Sequence, residues 1–273
     1  MRVAKSLFTA ILIVSFSVIS LSGTLFFIDK ASLRKFLIKI TSLFSNLLLI
    51  VLDITAVTLH SPLWQKQKPY LIVSNHLSYI DVLVIASVMP SVFVSSMEVR
   101  TSLFLGFLAR CGGTLFIERR KKSDLKREIK MLADALKQGS NVVVFPEGTS
   151  SKGEIVFPFK KSLFEAALQS KSNVLPVCLK YHDERKKQSG SVNNPVCWYG
   201  DMAFFPHFIN LFKQTGIHAT MHIMEPLNIC EYASRNELAE DAYCAITEAY
   251  NWKISDTAKS NPATPRIKLS FEH

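Results

Sequence analysis

Residues 6–28 carry no charged side chain for 23 consecutive positions, and nothing else in the chain constrains the fold as strongly. A stretch of that length and polarity spans about 30 Å of hydrocarbon when helical. Helix is the form it must take in lipid, because a single segment there can satisfy its backbone only within itself. Arg2 and Lys5 precede the run. We therefore expect an uncleaved membrane span. A secretory signal is the competing reading, with Ser20-Leu21-Ser22 as a small-residue cleavage site. Against it, the apolar run continues past that point through Leu25 to Ile28. Lys30, Arg34, Lys35 and Lys39 follow, and such basic stretches mark the cytosolic side of a span. Residues 40–59 form a second apolar segment, with Asp53 inside it. A carboxylate at the bilayer centre costs roughly 3 kcal/mol. This segment is accordingly expected to lie in the interface or pack on the domain, a re-entrant hairpin being the alternative.

Beyond Pro62 and the polar run Gln65-Lys66-Gln67-Lys68, strand-like and helix-like patterns alternate. Residues 70–73, 91–94, 114–117, 141–145 and 173–179 are short apolar runs of strand length. Residues 196–199 and 217–223 are read as later strands. Helical patterns cover 81–89, 98–109 and 160–169. Ser123 is read as the cap of an amphipathic helix through Lys137, closed by Gly139. Ser234-x-x-Glu237 opens a last helix to Trp252. Alternation of this kind argues an α/β fold: a mixed sheet covered by helices, with an N-terminal membrane-anchoring helical segment. The expected organisation is an anchor over 1–60, the α/β domain over 61–254 and a polar tail over 255–273. The tail holds Pro262 and Pro265 and is expected to be disordered.

The net charge of +10 points to polyanions, either nucleic acid or an anionic membrane surface. An apolar fraction of 48% favours the membrane. The five cysteines, at 111, 178, 197, 230 and 244, form no C-x-x-C. That excludes a zinc ribbon and gives no sign of a disulfide framework, so the cysteines are read as reduced core thiols in a cytosol-facing protein.

Four segments carry chemistry. In the first, residues 70–73 run into the turn formers Ser74 and Asn75, then His76, then Asp81 at the head of an apolar helix. His76 is the candidate general base, since imidazole alone ionises near neutrality. Asp81 is its candidate orienter. An offset of five puts two residues on different helix faces, so His76 must precede the helix for the pair to meet. Taken alone, Ser78-x-x-Asp81 is equally a capping box and His76 an ordinary loop histidine. The second segment sets Glu118 and Arg119 at a strand end, where open α/β sheets build their sites, and arginine suits phosphate. The third, Phe145-Pro146-Glu147-Gly148-Thr149-Ser150, is another strand end, whose glycine permits close backbone approach. The fourth is Asn173-Val174-Leu175-Pro176-Val177.

In this order the segments resemble the glycerolipid acyltransferases of the lysophosphatidic acid acyltransferase (PlsC) family. Its N-H-x4-D block is matched by Asn75, His76 and Asp81, its strand-borne acid and arginine by Glu118 and Arg119. F-P-E-G-T is matched by residues 145–149 and the V-x-P-V-like strand by residues 174–177. The Phe159-Lys160-Lys161 step also looks like the family. The resemblance implies transfer of an acyl chain from acyl-CoA or acyl carrier protein to the free hydroxyl of 1-acylglycerol-3-phosphate. His76 and Asp81 would be catalytic, with Arg119, Glu147, Gly148 and Thr149 binding the acceptor, and no metal or cofactor. Partners would be the donor, a lysolipid and the bilayer, not nucleic acid; the location would be a bacterial inner membrane, catalytic side cytoplasmic. Many members follow E-G-T with arginine, whereas Ser150 and Ser151 stand here. That departure, with Trp198-Tyr199-Gly200-Asp201-Met202, resembles branches that include lyso-ornithine-lipid acyltransferases. A lipase-like transacylase and a non-enzymatic basic membrane-binding protein are the remaining alternatives.

Overall fold

The structure is a computed structural model in which residues 2–66, 68–118, 124–183 and 195–252 are described. Two helices, α1 (Arg2–Phe26) and α2 (Lys30–Leu52), open the chain, each long and apolar enough to cross a membrane. The basic stretch expected as a linker lies inside α2. Asp29 sets that boundary, because its carboxylate accepts the Ala31 and Ser32 N–H groups at 3.1 and 2.7 Å, donors that a helix start leaves free. The helices pair as an antiparallel hairpin, with Phe16 against Phe44 and Phe27 against Phe36. Gly23 permits the approach: a Cβ there would stand 2.3 Å from the Phe36 ring.

The second apolar segment divides at Asp53. Up to Leu52 it is helix, and after it comes a strand, β1 (Ile54–His60). Asp53 adopts a left-handed conformation (φ 60°) and is exposed rather than set among apolar groups. Its carboxylate accepts the Gly216 N–H at 3.0 Å, pinning the helix end to the strand that pairs with β1. Residues 54–60 are rich in β-branched side chains, which explains the switch of period.

The remaining elements are β2 (Leu71–Ser74), α3 (Ile80–Val88), β3 (Ser91–Ser96), α4 (Met97–Thr101), α5 (Leu103–Cys111), β4 (Leu115–Ile117), α6 (Leu125–Lys137), β5 (Asn141–Val144), α7 (Glu165–Ser170), β6 (Val174–Asp183), α8 (Phe204–Leu211), β7 (Ile217–Ile223) and α9 (Arg235–Asn251). The sheet runs β1-β7-β6-β2-β5-β3-β4. All neighbouring pairs are parallel except β6 with β7, so the sheet is mixed. Central strand β2 is buried throughout, as expected of a parallel strand covered on both faces. Ile72 joins the core under α2 and α3, while Leu71 and Val73 join the core under α6, α7 and α9.

The helix expected over 98–109 breaks at Ser102 into α4 and α5, because Ser102 is extended. Gly106 lets α4 fold back, since a Cβ there would meet the Arg100 carbonyl at 2.4 Å. Residues 196–199, expected as a strand, form turn and coil. Their backbone crosses the loop after β2, with Trp198 N–H donating to the Leu77 carbonyl at 2.9 Å. Cys111, Cys178 and Cys197 are buried thiols, but Cys230 and Cys244 are exposed. The Ser123 cap, Arg119 and the polar tail fall outside the described residues.

Asn75, just past β2, clamps the sheet. Its side-chain amide donates to the Leu179 carbonyl of β6 at 2.9 Å and its oxygen accepts the Leu179 N–H at 2.7 Å, all of it buried. Asn75→Ala orphans both backbone groups, at about 1–3 kcal/mol each. We expect a loss of roughly 2–5 kcal/mol of stability, seen as a lower denaturant midpoint at unchanged slope.

Candidate active site

The site forms because β2 and β5 are parallel neighbours, so the loops leaving their C-terminal ends lie side by side. One loop carries His76, the other Phe145 to Ser151. On the opposite flank, β6 pairs with β2 as far as Ser74↔Val177 and then runs on. That overhang places Tyr181 above the start of α3.

His76 Nδ1 lies 2.8 Å from Asp81 Oδ2. Helix α3 starts at Ile80, so His76 stands before it, as the offset of five requires. The same Oδ2 accepts the N–H groups of Leu77 and Ser78 at 2.7 and 2.9 Å, which is the carboxylate half of a capping box. The capping and orienting readings of Asp81 therefore hold together. Asp81 is fully buried, and its Oδ1 accepts the Tyr181 hydroxyl at 2.7 Å. Four donors converge on this carboxyl, so it is an acceptor and His76 Nδ1 carries the hydrogen. The lone pair is thereby left on Nε2, which makes no hydrogen bond among the described residues. The imidazole is 22% exposed and stacks on Phe145 at 4.1 Å. Burial and the neighbouring Asp81 push the Tyr181 hydroxyl well above its ordinary value, holding it as a donor. Nothing local in the sequence marks Tyr181; only the strand register brings it here.

Glu147, expected at an acceptor head group, is bonded to backbone. Its two oxygens accept the backbone N–H groups of His76 and Phe157, at 2.6 and 2.8 Å, and the side chain is buried. It braces the catalytic-candidate loop from beneath. Burial pushes its carboxyl up to about 7, against the two backbone bonds that favour the ionised form. The Ser151 N–H completes the brace by donating to the His76 carbonyl at 2.9 Å. Gly148 has φ +78°, and a Cβ there would stand 2.4 Å from Lys160 Nζ, so the ammonium sits over the turn. Thr149 is exposed at the cavity lip. Ser150 donates its hydroxyl to the Trp198 carbonyl.

His76, Thr149 and Ser150 edge a cavity of about 390 Å³ that is otherwise mainly apolar, a size within the usual range for ligand sites. Phe16 of α1, Phe44 of α2, Val82 of α3, Phe93 of β3, Phe104 of α5 and Phe204 of α8 contribute to its wall. Tyr79 lines it too and donates its hydroxyl to His207 Nδ1 at 2.9 Å, while His207 Nε2 donates to the Cys197 carbonyl at 3.1 Å. Burial lowers the His207 imidazole from its ordinary value, consistent with this neutral tautomer. Among the described residues, no cluster of three His, Cys, Asp or Glu side chains is placed to hold a metal ion.

Glu147 gives a pH signature. With its folded value raised from 4.5 to about 7, its contribution to stability is full below about 4.5 and is lost as pH rises through 7. The loss is on the order of 3 kcal/mol. Glu147→Gln cannot ionise, so its stability should fall less over this interval than that of the unaltered protein. Denaturant midpoints taken every half unit of pH for both proteins test this, and parallel curves would contradict it.

The family described as "Acyltransferase" matches residues 56–180. A lyso-ornithine lipid O-acyltransferase of Pseudomonas aeruginosa is 33% identical over 182 residues, covering 66% of this chain and 67% of that one. A 1-acyl-sn-glycerol-3-phosphate acyltransferase of Neisseria gonorrhoeae is 33% identical over 132 residues, covering 46% of this chain and 52% of that one. The chain spans about half to two thirds of the length of the bacterial curated relatives it matches. The crystal structure of the 1-acyl-sn-glycerophosphate acyltransferase PlsC from Thermotoga maritima superposes with a TM-score of 0.65 over 95% of each chain, at 20% identity, and so shares the fold. A relative one-third identical along two thirds of its own length, together with the family match over residues 56–180, establishes that this chain belongs to the PlsC-type acyltransferase family.

Proposed function

We propose that the protein transfers a fatty acyl chain from a thioester, acyl-CoA or acyl carrier protein, to the free hydroxyl of a lysolipid. The observation that carries the reading is the His76–Asp81 pair, 2.8 Å apart, at the lip of an apolar cavity. His76 Nε2 takes the hydroxyl proton as the acceptor oxygen attacks the thioester carbon. The C–O bond forms, the C–S bond breaks, and the thiolate leaves with the proton that the imidazolium returns. Asp81 stabilises the imidazolium, and Tyr181 holds Asp81 in place from behind. A thioester is already activated, so no acyl-enzyme is required. The apolar cavity suits the acyl chain, and Arg119, the exposed Thr149 and the Lys160 ammonium over Gly148 suit an anionic head group.

The acceptor favoured on this reading is 1-acylglycerol-3-phosphate, giving phosphatidic acid. A lyso-ornithine lipid is the second reading, supported by Ser150, which bonds internally where arginine is common, and by the longer alignments with lyso-ornithine lipid O-acyltransferases. We assign the anchor to the α1–α2 hairpin and the catalytic unit to the sheet from β1 through α9. Because α2 touches the domain along its length, through Arg34 to Gln138, Leu37 at Gly113 and Asn46 to Ser87, the hairpin is best seated flat in one leaflet. Its basic first turns favour the cytoplasmic leaflet of a bacterial inner membrane.

The protein in membranes, given labelled acyl donor and a panel of lysolipids, tests the reaction by its product. His76→Ala should lose about 10² to 10⁴ in kcat with the fold retained, and Asp81→Asn should lose most of its activity. Tyr181→Phe should lower kcat with little change in KM, as befits a residue acting through Asp81. Near-normal turnover in the His76 variant contradicts the mechanism.

Head-group recognition is separable. Arg119→Ala should raise the KM of a phosphate acceptor by about tenfold or more, the worth of a charge-assisted hydrogen bond, with the donor KM little changed. An unchanged ranking of acceptors contradicts the assignment of Arg119.

A further inference from the structure

Helix α8 is apolar on both faces. Residues 202–212 contain no Asp, Glu, Lys or Arg, and its inner face packs Phe204, Phe208 and Leu211 toward the cavity and core. The outer face is what calls for explanation. Phe205 and Ile209, four residues apart, are each 56% exposed, Met202 is 40% exposed, and Leu103 at the start of α5 is 93% exposed. Phe104 joins the two elements, its ring 5.6 Å from Phe204 and 5.3 Å from Phe205. His207 and the exposed Asn210 are its polar side chains, and an exposed patch of large apolar side chains marks a partner surface.

The patch is continuous with the outer face of α1. Lys5 donates to the Gln214 carbonyl, three residues past the end of α8, so the first turns of α1 adjoin it. From there α1 exposes Leu7, Ile11, Val14, Val18, Leu21 and Leu25 at helical spacing. Exposed cations flank the patch: Arg100 and Arg110 beside α5, Lys213 after α8. Apolar faces edged by lysine and arginine fit the boundary between acyl chains and anionic head groups.

We propose that the outer face of α8, with Leu103, is a second membrane-contacting element, lying in the bilayer surface beside the α1–α2 hairpin. Because Phe104, Phe204 and Phe208 behind it line the cavity, this contact sets the cavity mouth at the level of the acyl chains. A lipid tail then enters sideways from the bilayer and does not have to leave it. The inference rests on the acyl-transfer reading only for what enters; the lipid contact stands by itself.

Two arms test it with the full chain. In the first, Phe205→Trp is reconstituted into phosphatidylcholine–phosphatidylglycerol vesicles with or without brominated acyl chains. The added tryptophan should be quenched by bromine beyond the signal of the unaltered protein. Absence of extra quenching in vesicle-bound protein overturns the proposal, as does a dimer in detergent that dissociates on Phe205→Ser/Ile209→Ser, which would make the face a protein interface. In the second arm that double variant should bind vesicles roughly tenfold more weakly and show a raised KM for acceptor in vesicles. Toward a short-chain, water-soluble lysolipid its kcat/KM should be unchanged. Equal loss on both acceptors overturns the proposal. If neither protein transfers acyl groups to any acceptor, the acyl-transfer reading fails, and the quenching arm still decides the lipid contact.

Discussion

One buried carboxylate organises the region that we read as catalytic. Asp81 has no solvent to share its charge and instead gathers four donors: an imidazole, two backbone N–H groups and a tyrosine hydroxyl. The four donors serve three tasks. The backbone groups start α3, the imidazole gains its tautomer, and Tyr181 ties the end of β6 to the loop after β2. An isolated charge at such depth would be strongly unfavourable, so the carboxylate and its donors are mutually dependent. Loss of one donor disturbs the rest, which is why the histidine cannot be considered apart from the helix it precedes.

Beneath this network a second acid acts structurally. Glu147 spends both oxygens on backbone N–H groups, one of them that of His76. Between Asp81 holding the ring and Glu147 holding the main chain, His76 is fixed at both ends while its open edge borders the cavity. Two carboxylates in neighbouring loops thus share one histidine without competing for it.

The apolar half of the site comes from the front of the chain. The α1–α2 hairpin wraps the domain and supplies cavity wall from its inner side, while its outer side remains exposed. An exposed apolar face and a cavity wall are therefore the two faces of the same helices. On the proposed function this economy has a physical basis, because the chain to be transferred and the phase it comes from have the same solubility.

Much of this was legible in the residues alone. Short apolar runs of strand length and helical spacing identified β2, β5, β6, β7 and most helices, and the offset of five between His76 and Asp81 required the histidine to precede α3. Those are local properties, set by side-chain geometry within one element. What the residues could not reveal was contact between elements distant in sequence. Tyr181 reaches Asp81 across 100 positions because β6 outruns β2 in a parallel register. Glu147 reaches the His76 and Phe157 backbone because β2 and β5 are neighbours. The apolar run through Asp53 divides into helix and strand because β7 offers β1 a partner, and a strand exists only where another chain segment completes its hydrogen bonds. Residues 196–199 have strand composition but lie across the site, where the Leu77 carbonyl takes the Trp198 N–H and no sheet edge is open. Sequence period determined which segments could be helix or strand; the order of strands in the sheet decided which side chains meet.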